Sequence, residues 1–164
     1  LDDAREWLRS RARGSERYGL IASSGGYRLR PEGIHVKAKI EPSSWFLNDR
    51  SDVRSSYYLE EVATQFDIQG LELDWVGVCW DADLRWAGEA WEYHAFKGTR
   101  WQQVRDDTKR LYLLNAYRVL LTHARQGMVI FVPHGHARDH TRPPKYYDGI
   151  SGFLRQCGVA DIER

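Results

Sequence analysis

Residues 115–133, NAYRVLLTHARQGMVIFVP, read as the end of a helix, a tight exit at Gly127 and a buried strand. Leu113, Tyr117, Leu120 and Ala124 recur at helical spacing along one apolar stripe, and Asp106 or Asp107 is placed to cap its start. On this reading Thr122-His123-Ala124-Arg125 occupies the last turn of the longest helix. The apolar residues 128–132 then form a strand. Polar residues at a helix end beside a buried strand are the signature of a layered α/β domain.

Outward from that stretch, the chain repeats the pattern. Asp2 or Asp3 can cap a first helix with Ala4, Trp7, Leu8 and Ala12 near one face. Residues 18–23 (YGLIAS) and 74–80 (DWVGVCW) read as further buried strands, and residues 34–40 (IHVKAKI) alternate as a half-exposed strand would. Residues 57–64 fit a helix or a strand. Gly88 is placed to turn a hairpin between Trp86 and Trp91. Residues 134–144 read as a loop, and 146–157 as a last helix stopped by Gly158. Short apolar strands between helices predict a mainly parallel sheet, with ligands beyond the carboxyl ends of its strands. The motifs discussed below fall at strand–helix junctions and are expected to face one common ligand edge.

With 164 residues, 42% apolar content and seven Trp, the chain is a folded single domain. Two cysteines, Cys79 and Cys157, give neither a disulfide framework nor a metal quartet, which suits a reducing cytoplasm. No apolar run is long enough to span a membrane, and the charged start resembles no signal peptide. The chain lacks an initiator Met and is expected to be a piece of a longer protein. The net charge of +1 hides blocks of opposite sign. Residues 57–92 are acidic except for Arg85, whereas residues 118–145 are basic except for Asp139. Such blocks suit either a nucleic-acid footprint or ordinary solvated charge.

The candidate chemistry is sparse. No G-x-x-x-x-G-K-[ST] occurs, so the chain has no cradle for β- and γ-phosphates. Trp80-Asp81-Ala82-Asp83 superficially resembles a Walker B acid, but reads better as a strand end capped by solvated acids. Ser23-Ser24-Gly25-Gly26 reads better as a plain turn than as a phosphate nest. His134, His136, Asp139 and His140 are numerous enough for zinc, yet read as a solvated loop, and no metal site is expected. Trp86, Trp91, Tyr93 and Trp101 suit base stacking less well than packing. In TQFDIQGLELD (64–74), Gly70 permits close backbone approach, Glu72 offers an acceptor for a sugar hydroxyl, and Thr64 a donor for a phosphate oxygen.

The order T-x4-Q-G-x-E-x-D, apolar strand, intervening segment, helix ending L-T-x-A-R and apolar strand resembles motifs V and VI of superfamily 1 helicases. Together with YGLIASSGGYRLRPEGIHVKAKI and the T-R-P-P-x-Y-Y-D-G tail at 141–149, it resembles the C-terminal RecA-like domain of the Schlafen group 3-like DNA/RNA helicase family. The likeness runs from about Tyr18 to Gly158. It implies a RecA-like P-loop NTPase fold, a layered α/β domain with a mainly parallel sheet flanked by helices. Residues 1–164 would be the second motor domain of a superfamily 1 DNA/RNA helicase or translocase.

Carried over by motif, the resemblance implies that Thr64 touches the nucleic-acid backbone. It sets Gln69, Gly70 and Glu72 at the nucleotide, and His123 at the position of the arginine finger, followed by Arg125. ATP and Mg²⁺ would be held by an N-terminal RecA-like domain of the same parent, with single-stranded or duplex DNA or RNA as the other partner. No activity is expected of this chain alone. Histidine is short, mostly neutral near pH 7 and cannot make a guanidinium's fork, so weak or altered ATP turnover is expected. In a regular helix Arg125 points away from His123 and shares a face with Thr122 and Arg118, a face expected to touch a nucleic-acid backbone or to pair with acids of the missing domain. The rival is a non-catalytic nucleic-acid- or protein-binding module derived from a helicase domain. A third reading, a metal-dependent nuclease using Asp67, Asp81, Asp83 and the His-rich loop, has little support from spacing.

Overall fold

The computed structural model describes residues 1–162. Four parallel strands form its central sheet: β1 (Tyr18–Ala22), β2 (Val62–Thr64), β3 (Leu73–Cys79) and β7 (Ala124–Phe131), in the order β2-β1-β3-β7. β1 is buried at every position and β3 almost so, as expected of central strands covered on both faces. Helix α1 (Asp2–Arg11) covers one face, where Leu8 meets Leu20, Leu29 and Val62. On the other face Trp45 of α2 (Pro42–Leu47) and Tyr117 and Leu120 of α3 (Asp107–Leu121) pack with Ile21, Val76 and Val78. Ile150 of α4 (Lys145–Gln156) joins the same cluster.

Between β3 and α3 the chain builds a small antiparallel sheet from β4 (Leu84–Trp86), β5 (Trp91–Lys97) and β6 (Arg100–Gln103). Trp86 pairs with Trp91 across a turn at Gly88, as the spacing predicts. Both rings pack on Phe153 of α4, and Trp91 also stacks on Trp80. These tryptophans are packing residues.

Three local expectations need correction. Residues 34–40 form a turn rather than a strand. β1 is already paired on both sides, and Ile34 is buried against the core without a ladder. Helix α3 ends at Leu121, capped by Thr122, so His123 through Arg125 are not helical. Gly127 lies inside β7 rather than at a helix exit. There it faces Trp75, and a Cβ built on it would stand 2.8 Å from the Trp75 ring.

Candidate functional site

The sequence-selected residues fall on two opposite edges of the sheet, not on one common edge. At the amino edge, where β3 and β7 begin, Gly70, Leu71, Glu72, Thr122, His123, Ala124 and Arg125 line one cleft with Phe46. The cleft has a volume of about 620 Å³. Gly70 reaches it in the left-handed region at φ 76°, where a side chain would be strained. Leu73 pairs with Ala124, and this pairing draws the two motif segments together.

The early end of α3 changes what Arg125 can do. It lies on the same cleft as His123 and reaches Glu72, with Nε 3.8 Å from the Glu72 Oε2. That pair is exposed by 62% and 72%, so it is worth at most about 1 kcal/mol and leaves the guanidinium free to exchange partners. The regular helix through residue 125 that would have turned Arg125 away from His123 is absent, and the two line one cleft. His123 is half-buried, and its Nε2 is buried without a partner. Burial pulls its imidazole below the usual histidine range, against the pull of Glu72 and a hydrogen bond to the Leu71 backbone. It is neutral at pH 7. The carboxyl end of α3 also faces this cleft and disfavours an anion there, so Arg125 is the group that offsets it. These side chains fit a nucleotide as edge contacts. Glu72 offers an acceptor and Arg125 a cation, but the cleft has no backbone cradle for a triphosphate.

The carboxyl edge carries a second cleft of about 730 Å³. Its walls come from the Ser23–Gly25 turn, Gln65, Phe66 and Gln69 after β2, His94 to Lys97 of β5, and one side of α3 from Lys109 to Val119. Phe66 and Tyr112 are exposed by 67% and 68%, and Lys97 and Lys109 are exposed beside them. Gln69 thus lines this cleft and is separated from Gly70 and Glu72. Thr64 ends β2 at the same edge, but it is buried and its hydroxyl donates to Asp67 at 2.8 Å. Arg118 lines neither cleft; it is exposed on α3 and bonds Asn115 at 2.9 Å. The N–H groups of the Ser23–Gly26 turn are spent internally, on Gln65, on the Ser23 hydroxyl and on the Ser23 carbonyl. It is the plain turn its sequence suggests.

Two readings of polar clusters change. Asp81 and Asp83 are not solvated but fully buried at the end of β3, held by Ser23, Tyr117, Tyr147 and backbone N–H groups. The His-rich loop is clamped rather than free. Arg28 bonds Thr141 and Asp139, Arg142 pairs with Glu32, and the Trp101 indole donates to the Thr141 carbonyl. Thr141 and Arg142 are buried. Among the described residues no group of His, Cys, Asp and Glu is placed to hold a metal ion. No helix among them is long and apolar enough to cross a membrane.

Sequence reasoning missed Phe66, Lys97, Lys109 and Tyr112, because the topology that gathers them has no local signature. It also missed the burial of Asp81 and Asp83. The one available signal was that both follow closely on the apolar run Trp75 to Trp80.

No curated protein and no solved structure matches this chain. The family model described as Schlafen group 3, DNA/RNA helicase domain, matches residues 1–134, which include β1 to β7, the amino-edge cleft and the carboxyl-edge cleft. The chain belongs to the Schlafen group 3 DNA/RNA helicase domain family.

Proposed function

We propose that this chain is the second, RecA-like motor domain of a superfamily 1 ATP-dependent DNA/RNA helicase or translocase, with segments 64–74 and 122–125 acting as motifs V and VI. The observation that carries the reading is the meeting of Glu72, His123 and Arg125 in one cleft at the amino edge of the sheet. An ATP molecule with its Mg²⁺, cradled by a phosphate-loop domain of the parent, would dock against that edge. Arg125 would then leave its exposed pairing with Glu72 for the phosphates, and Glu72 would accept from a ribose hydroxyl. Arg125, rather than neutral His123, is the cation able to stabilise charge on the transferring phosphoryl group, an effect typically worth about 10³–10⁵ in rate.

The opposite edge would carry the nucleic acid. Lys97 and Lys109 supply charge for phosphates, and Phe66 and Tyr112 supply exposed rings on which unpaired bases can stack. With nucleotide on one edge and strand on the other, closure over ATP would pull on the strand through the rigid sheet.

Binding of a fluorescent single-stranded oligonucleotide across a salt series tests the second half of this reading. Lys97→Glu with Lys109→Glu is expected to weaken binding at least tenfold and to flatten the salt dependence by about two phosphate contacts. Unchanged affinity and slope would remove the nucleic acid from this edge. The non-catalytic alternative is favoured by His123, whose imidazole burial disfavours charging and whose Nε2 has no hydrogen-bond partner. It would retain strand binding in a parent that never turns over ATP.

A further inference from the structure

Asp81 and Asp83 are the two most deeply buried acids among the described residues, exposed by 0% and 1%. Their surroundings differ. Asp81 accepts from the Arg28 backbone N–H at 2.8 Å and the Tyr147 hydroxyl at 3.0 Å, and the buried Arg142 guanidinium acts on it. Asp83 shares hydrogen bonds with the Ser23 hydroxyl at 2.6 Å and the Tyr117 hydroxyl at 2.5 Å, whose direction follows the acid's protonation, and accepts from the Leu84 N–H at 3.0 Å. Among the described residues no cation is hydrogen-bonded to it, and the charge facing it from its own strand end is that of Asp81. His94, Lys97 and Lys109 stand across the carboxyl-edge cleft that Asp83 borders.

Two buried carboxylates beside a single guanidinium cannot both ionise cheaply. We propose that the pair holds one proton at neutral pH, that it resides on Asp83, and that it sets the hydrogen-bond direction of the Ser23–Gly26 turn walling the carboxyl-edge cleft. With the proton present, Asp83 donates to the Ser23 oxygen. Without it, the Ser23 hydroxyl donates to the carboxylate. The Ser23 oxygen also accepts from the Gly25 N–H at 3.2 Å, so the reversal is felt along the turn. Gly25 leaves no slack, because a Cβ built on it would stand 3.0 Å from the Asp83 Oδ2. Burial and the neighbouring Asp81 push the Asp83 carboxyl up to about 7, against its hydrogen bonds from Ser23 and Tyr117. Burial also raises Asp81, and Arg142 together with the Tyr147 and Arg28 donors pulls it back. The proton is held whether or not the cleft carries nucleic acid, so this inference does not rest on the functional reading.

Carboxyl-carbon NMR of the chain labelled at aspartate, followed from pH 4 to 9, tests it. One aspartate is expected to titrate with a midpoint within about one unit of neutrality. The amide resonances of Ser24, Gly25 and Gly26 are expected to shift with the same midpoint. Asp83→Asn, which has the shape of the protonated acid, is expected to abolish both transitions. If every aspartate midpoint lies below 5, or if the turn amides stay still through the transition, the proposal fails. The wild-type titration alone decides the matter should the variant not fold.

Discussion

His123 and Arg125 stand two residues apart and differ in what burial has done to them. His123 has lost water without gaining a partner for Nε2, while Arg125 keeps most of its exposure. A folded-state pKa below the unfolded value of about 6.5 means that protonation favours the unfolded chain. The stability His123 contributes is therefore present above about pH 6.5 and lost as pH falls through its lowered value. Ring-proton NMR is expected to show His123 titrating below the ordinary histidine value of about 6.5; a midpoint at or above that value would contradict its burial. Asp83 has the opposite sign. Its raised carboxyl contributes stability that is full below about pH 4 and lost as pH rises toward about 7. Denaturant unfolding at pH 5 and pH 8 is expected to show that Asp83→Asn removes a loss on the order of a few kcal/mol across that window. An unchanged slope would show that Asp83 is ionised throughout.

At the scale of elements, Trp75 and Gly127 fix how β3 and β7 lie against each other. The ring of Trp75 crosses β7 where a side chain would otherwise stand, and its indole donates to Glu16 at 3.0 Å. Gly127→Ala is expected to cost about 1–3 kcal/mol in denaturant unfolding by forcing that ring aside; a change below about 0.5 kcal/mol would mean that the ring is free to move. This close approach explains why the sequence misleads at residues 115–133. A glycine after a helical stripe reads as a stop signal, yet here the stop is Thr122 and the glycine serves a neighbouring strand. Tyr117 and Leu120 were legible as the core face of α3, and Asp106 as its cap, because those signals are local. The alternation of Ile34, Val36 and Ala38 was local too, but these residues turn and pair with none of the strands.

For the whole molecule, the parallel sheet and its flanking helices were legible from apolar runs and their spacing, and the family from the order of its motifs. The division of labour between edges was not. Residues 65–72 cross from the carboxyl end of β2 to the amino end of β3, so a motif contiguous in sequence is split across the thickness of the domain. Gln69 lines one cleft, Gly70 and Glu72 the other, and Thr64 lines neither. That split is what a motor domain needs if nucleotide is to be sensed on one edge and a strand held on the other. Helical geometry assumed through residue 125 separated His123 from Arg125, whereas the sheet pairing of Leu73 with Ala124 sets both beside Glu72. In the proposed motor, Arg125 supplies the cation for phosphoryl transfer. The most direct test is steady-state ATP hydrolysis by the full-length parent, stimulated with single-stranded nucleic acid, comparing wild type with Arg125→Ala. The account predicts a fall of at least 10²-fold in turnover with strand binding retained; turnover within twofold of wild type would contradict it.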